Sequence, residues 1–360
     1  MNKEQCATSK NYGIELLRIL SMLFIVILHV IGQGGILGNS AQFSNSYLIS
    51  NTFLALCYCA VNCYALISGY VSCKSSFKIS RIVILWLSVV FTNVVIWIIA
   101  HYLFPQCEIS AFYNTFLPVS KNQYWYFTAY LGLMILMPAL NAAANNISKK
   151  QYEFMLIGML FLFVIFPAEI GADLFYTHSG YSMLWLILMY LTGAYFRLHF
   201  NKKIPFLKTI CFCVYILSAL SLVLYRTFKE IGLVNDGSPY TYFSKYYSYT
   251  SVFIVASSVA MFLLFLKIGL KNKNVQKIIE FFSKSTFGVY IIHTNTIVWV
   301  YVLENRFAHQ SLYSPVKLCI CIIADAVIIF LVCTVFEKIR VAVFNLFNWF
   351  WKILRKPFIK

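Results

Sequence analysis

The sequence predicts an all-α, polytopic membrane helical bundle of about ten transmembrane helices, with both termini cytoplasmic. Three observations predict it. Of the 360 residues, 61% are hydrophobic and only 11% are charged, against roughly 25% charged in an average soluble domain. Mean hydropathy is +0.75 and aromatics reach 18%. A soluble core, which stops growing near ~250–300 residues, cannot hide that much apolar surface. Finally, the basic residues gather on alternate loops between apolar runs. A soluble enzyme, a disordered chain and a small disulfide scaffold are all excluded.

A helix needs ~20 apolar residues to cross the hydrocarbon core. Ten runs meet that length within a few residues: 13–32, 47–71, 82–104, 124–144, 153–170, 181–199, 209–226, 249–268, 285–303 and 317–337. The alternation of a β-barrel is missing. Without a repeat or a linker, one integral membrane domain over 1–340 is expected. A basic aromatic tail, 341–360, follows. There Trp349, Phe350 and Trp351 mix with Lys352, Arg355 and Lys356, a composition that lies along a membrane surface. The longest outer loops are expected near 105–122 and 227–247. The first run is long enough to span, so no cleavable signal peptide is expected.

Orientation follows from charge. With the N-terminus inside, 23 Lys and Arg fall on the cytoplasmic side, among them Lys3, Lys10, Lys74, Lys149, Lys202, Lys271, Lys284, Lys356 and Lys360. The other side holds 6: Lys121, Arg226, Lys229, Lys245, Arg306 and Lys317. That asymmetry places both termini inside, with an even number of spans. The net charge of +17 is therefore read as topology, and no nucleic-acid partner is expected. Most of the 11 Cys lie inside apolar runs and read as small hydrophobes. Cys57-x-Cys59 and Cys211-x-Cys213 lack zinc-site spacing, so no metal is expected.

Ionisable groups within a span are expensive and mark candidate sites. The first run carries Glu15, Arg18 and His29. Arg18 and His29 are 11 residues apart, close to three helical turns, so they share a face about 16 Å apart along the axis. Arg18 falls near the cytoplasmic edge and His29 lies deep. They read either as a snorkelling cation and an interfacial imidazole or as a functional pair. Elsewhere, His293 either orients a ligand or pairs with a Ser or Tyr of a neighbouring helix. Asp325, deep in the tenth run, is expected to be buried and paired with a basic group such as His29, His293 or Arg18. Trp125 and Tyr126 are either interfacial anchors or a platform for a sugar ring. Glu169, Asp173 and His178 read as solvated loop residues.

Glu15-Leu-Leu-Arg18 through His29 resembles the Arg-x10-His signature in the first helix of the membrane-bound acyltransferase-3 family. Three further stretches resemble family motifs in the expected order. Ala65-Leu-Ile-Ser-Gly-Tyr70 resembles the end of the second helix and leads to a basic Lys78-Ile-Ser-Arg81, where the family usually has Arg-x-x-Arg. Tyr124-Trp-Tyr-Phe-Thr-Ala-Tyr130, with Pro138, resembles the fourth helix. Phe287-Gly-Val-Tyr-Ile-Ile-His293 resembles a late helix. The resemblance covers about 13 to 337.

It implies a multi-pass protein of a bacterial inner membrane. Such a protein transfers an acyl group, usually acetyl from cytoplasmic acetyl-CoA, to a hydroxyl of a surface polysaccharide or its lipid-linked precursor. It implies His29 and Arg18 as catalytic residues, and Arg18, Lys78 and Arg81 as the donor-binding cluster. No permanently bound cofactor is expected. The chemistry suits these residues. Imidazole is the base best placed near neutral pH, and Lys/Arg clusters hold phosphates. The alternative is a translocator of such glycans without chemistry of its own. A glycan polymerase fits poorly, because it needs a large outer loop.

Overall fold

A computed structural model of the chain describes residues 10–76, 78–104, 112–201, 203–235 and 247–355. Of the basic residues counted above, Lys3, Lys202, Lys245, Lys356 and Lys360 lie outside them. Every regular element among the described residues is helical.

The first five helices are α1 (Tyr12–Ile31), α2 (Asn45–Cys57), α3 (Ala60–Ser72), α4 (Ile79–Leu103) and α5 (Trp125–Asn146). Next, α6 (Lys149–Leu160) continues through a π-helical turn into α7 (Phe166–Ile170). Then come α8 (Met183–Leu198), α9 (Leu207–Asn235), α10 (Val252–Leu266), α11 (Lys273–Ser283), α12 (Thr286–His293), the short α13 (Thr296–Val298) and α14 (Pro315–Arg355).

All ten apolar runs are helical, but they are not equivalent. Among the described residues seven helices are long and apolar enough to cross a membrane, and α11–α12 with Thr296–Leu303 make an eighth path bent by 63°. The remaining two, α8 and α10, have 16 and 15 residues. The second run is interrupted at Tyr58 and Cys59, and α2 and α3 together make one path of 28 residues, Asn45–Ser72. The expected loop 227–247 is shorter than that, because α9 stays helical to Asn235. An Arg226–Glu230 pair, one turn apart, clamps this end at 2.6 Å. The boundary drawn at 340/341 falls inside α14, which runs without a break to Arg355. The tail side chains from 347 onward, Trp349 and Trp351 included, lie outside the described residues.

α1 is the axis of the bundle and meets α2, α3, α10, α11, α12 and α14. Its start is fixed locally: Asn11 caps the first turn by accepting from the Gly13 and Ile14 N–H groups. That satisfies donors a helix start leaves open. α3 and α8 cross most closely. A Cβ on Gly69 would collide with the Tyr190 carbonyl, and one on Gly193 with the Leu66 carbonyl. Small residues let membrane helices approach in this way, which explains the Gly of the Ser68-Gly69-Tyr70 stretch. Gly288 does a second job: a Cβ there would strike the Glu337 carboxylate. Glu337 is buried and bound to Arg340 at 2.6 Å, and Arg340 donates to Ser88. One ionic knot thus joins α4, α12 and α14.

Candidate active site

A cavity of about 900 Å³ opens along α1, between α3, α5 and α12. Its wall includes Arg18, Met22, Ile25 and His29, a stripe of one helix face about 16 Å long at 1.5 Å per residue, and Gln33 just past the helix end. The lining differs in chemistry: Arg18, Ser68, Ser72, Ser283 and Lys284 make one set, and Gln33, Gln123, Trp125, Tyr181 and Tyr249 the other. A Lys10–Glu280 pair at 3.5 Å ties the end of α11, and with it Ser283 and Lys284, to the start of α1 that carries Arg18.

His29 stands between Arg18 and Gln33 in this wall. Its Nδ1 is 3.0 Å from His293 Nε2, and His293 Nδ1 is 2.6 Å from the Val289 carbonyl oxygen. These contacts assign the protons. A carbonyl only accepts, so His293 Nδ1 carries hydrogen and donates to Val289. In the neutral pair His293 Nε2 is then an acceptor, and His29 Nδ1–H donates to it. The lone pair of His29 is left on Nε2. Trp299 holds the ring edge-on, with centroids 4.6 Å apart. His293 is 1% exposed and stands behind His29 rather than in the cavity wall.

His293 ends α12, where the chain turns. Asn295 fixes that turn. Its Oδ1 accepts from the Ile297 N–H, and its Nδ2 donates to Asn93 Oδ1 and the Tyr124 hydroxyl. Tyr124 also donates to Asn93 at 2.6 Å. This buried polar knot ties α4, the start of α5 and the bend next to the histidine pair. A fully satisfied network of this kind rigidifies its surroundings.

Arg18 is held from both sides. Its guanidinium is 3.5 Å from Glu15, and its carbonyl accepts from the Tyr64 hydroxyl at 2.8 Å. Arg18 and His29 therefore face one cavity, as their spacing predicts. Lys78 and Arg81 do not join them. Both are exposed and line a separate pocket of about 30 Å³ with Ser75, Ser76, Met134, Met137, Pro138 and Asn141.

Other expectations change. Asp325 is half-buried, not buried, and accepts from Gln310 Nε2 at 2.6 Å. It has a neutral partner on the turn before α14, and the His29 imidazole is served by His293 instead. His293 meets neither a Ser nor a Tyr through its ring nitrogens. Trp125 is turned toward the cavity, against Tyr181 (4.5 Å) and Tyr249 (5.8 Å, stacked). Its ring is not a lipid-facing anchor. Asp173 does more than face water: it accepts from Thr177 N–H and Oγ1–H and from His178 N–H. Partial burial raises its carboxyl, but these bonds outweigh that and hold it below the usual carboxylate range.

Sequence reasoning passed over Tyr64, Asn93, Asn295 and Trp299, and met Tyr124 only as the first residue of a family-like stretch. The single signal available was that Asn93 and Asn295 are amides inside apolar runs, where polar groups need partners.

The chain as a whole matches a known family. A family model described as an acyltransferase domain covers residues 11–337, and the chain belongs to that family, the membrane acyltransferase-3 family. The match begins at the α1 cap, Asn11, and ends at Glu337, the carboxylate packed on Gly288. No curated protein and no solved structure matches the chain.

Proposed function

We propose that this membrane acyltransferase moves an acetyl group from cytoplasmic acetyl-CoA to a hydroxyl of a surface polysaccharide or of its lipid-linked precursor, in a bacterial inner membrane. The observation that carries this reading is the cavity itself. It has a basic end at Arg18, an imidazole with a free Nε2 lone pair midway, and an aromatic end at Trp125, Tyr181 and Tyr249. In the topology set by the charge asymmetry, the basic end faces the cytoplasm and the aromatic end faces outward. The donor would enter from one side and the acceptor from the other.

The chemistry follows from the proton assignment. His29 Nε2 takes the proton of the acceptor hydroxyl as its oxygen attacks the thioester carbonyl. The carbon–sulfur bond then breaks, and the proton passes from His29 to the departing CoA sulfur. The products are the ester and CoA thiol. Between these steps His29 is an imidazolium, and His293 Nε2 receives its Nδ1–H and stabilises the charge. General base catalysis of this kind is worth ~10²–10⁴-fold. Arg18 binds the donor and aligns it; the offset of about 16 Å to His29 along α1 leaves room for the arm that carries the thioester. Lys78 and Arg81, on the same side but in their own pocket, contribute to the donor more weakly than Arg18 in this reading.

The test is release of CoA thiol by purified protein in vesicles. Acetyl-CoA is supplied on the face that carries Lys74, and glycan on the other. Thiol release that needs both substrates supports the reading. Glycan movement across the bilayer without thiol release would favour a translocator.

A further inference from the structure

One residue of the cavity wall carries a buried polar atom with no partner. Ser283 closes α11, is 3% exposed and lines the cavity, and its hydroxyl has no hydrogen-bond partner. Buried polar groups are otherwise paired, so a lone hydroxyl calls for an explanation, such as a ligand. The next residue, Lys284, lines the same wall. Its ammonium group is 2.8 Å from Glu280, which also meets Lys10 at 3.5 Å, and Lys284 remains 65% exposed. Arg18 forms another part of this wall. Glu15 meets one of its nitrogens, at 3.5 Å, and a guanidinium has five donors. Tyr64, which also lines the cavity, holds Arg18 in place through its backbone carbonyl.

We infer that Ser283 and Lys284 complete, with Arg18, a site that holds a phosphate ester group of the acyl donor at the cytoplasmic end of the cavity. The inference rests on the proposed transfer from acyl-CoA. The chemistry is complementary. Arg18 supplies a planar fork, Lys284 a point charge and Ser283 a neutral O–H donor, and phosphate oxygens accept from all three. Among the described residues Glu15 and Glu280 are the carboxylates that pair with the two cations, and each leaves donors for a ligand. A phospholipid headgroup presents the same phosphate ester chemistry at this depth, so the experiment must separate the two sources.

The experiment is calorimetric titration of CoA into the full-length protein in phosphatidylcholine nanodiscs. The variants are Ser283→Ala, Lys284→Ala, Lys284→Arg and Glu280→Gln. Lys284→Ala is expected to weaken CoA roughly tenfold, and Ser283→Ala about three- to tenfold, the scale of one charge-assisted and one neutral contact. Lys284→Arg should stay within about threefold of wild type. Glu280→Gln releases Lys284 and should not weaken CoA. Pantetheine, which carries no phosphate, should bind all variants alike.

If wild type binds CoA while both alanine variants match it within about twofold, the inference falls and the transferase reading stands. Wild type that binds no CoA at all would overturn both. A Glu280→Gln loss equal to that of Lys284→Ala would make Lys284 an anchor for α11 and overturn the site. Unchanged CoA affinity, with a phosphatidylglycerol effect lost in Lys284→Ala, would assign the phosphate to lipid and overturn it as well.

Discussion

Replacing His293 isolates the proton assignment from the rest of the account. His293 does not line the cavity; it meets two residues that do, His29 by a ring-nitrogen contact and Tyr290 edge-on at 6.5 Å. His293→Ala removes the acceptor 3.0 Å from His29 Nδ1 and the donor to the Val289 carbonyl. Two losses follow. His29 is no longer held in the tautomer that leaves Nε2 free, and the imidazolium formed in transfer loses its acceptor. A hydrogen bond to a charged group is worth ~1.5–3 kcal/mol, and each 1.36 kcal/mol is tenfold in rate. The expected fall in kcat is therefore about 13- to 160-fold. KM for acyl-CoA should change little, since His293 does not line the cavity. His293→Gln retains an acceptor oxygen and a donor nitrogen, and is expected to recover part of the loss. The assay is thiol release at saturating donor, with expression and melting temperature matched to wild type. A kcat within about threefold of wild type in His293→Ala would refute the tautomer argument. A loss carried by KM alone would show that His293 shapes the cavity rather than the base.

Arg18→Ala should weaken CoA binding by roughly ten- to 150-fold, and Arg18→Lys should already be harmful because the planar fork is lost; titration of CoA measures both. Arg226 is 1% exposed and bound to Glu230, Tyr47 and Asn51. Arg226→Ala takes the cation from the buried Glu230 carboxylate, to which the Tyr47 hydroxyl still donates, and should cost about 3–5 kcal/mol, read as loss of folded protein in a detergent melt. Gly69→Ala drives a methyl into the Tyr190 carbonyl and should destabilise by about 1–3 kcal/mol, read in the same melt with donor affinity retained in the surviving fraction. Cysteines placed at Lys74 and Lys271 should be reached only from the cytoplasmic face and one at Lys317 only from outside; the opposite pattern at any of them breaks the topology.

The helices were legible because a span leaves a long one-dimensional signal. All ten runs became helices, and the Arg18–His29 register followed from 3.6 residues per turn. What the sequence hid was where chain segments meet. His29 and His293 are 264 positions apart, and no local pattern pairs them. The Lys78–Arg81 spacing resembles a donor motif, yet nothing in that spacing says whether its pocket joins the one beside Arg18. Trp125 at a helix start fits an interfacial belt equally well, and only Tyr181 and Tyr249 from distant segments show that it faces the cavity. Asp325 was expected to need a cation, but half-burial lets the neutral Gln310 serve it. The interruption at Tyr58 and Cys59 carries no proline or glycine, so the second run reads as one uninterrupted helix.

The central claim is that His29 performs acyl transfer to a glycan hydroxyl. Its most direct test is the acetyl ester content of the surface glycan in a deletion strain carrying either wild type or His29→Ala at equal expression. The account predicts that wild type restores the ester, that His29→Ala leaves it at least 100-fold lower, near the lower end of general-base effects, and that the glycan itself reaches the surface in both. Near-normal ester with His29→Ala, or loss of the glycan from the surface, would contradict it.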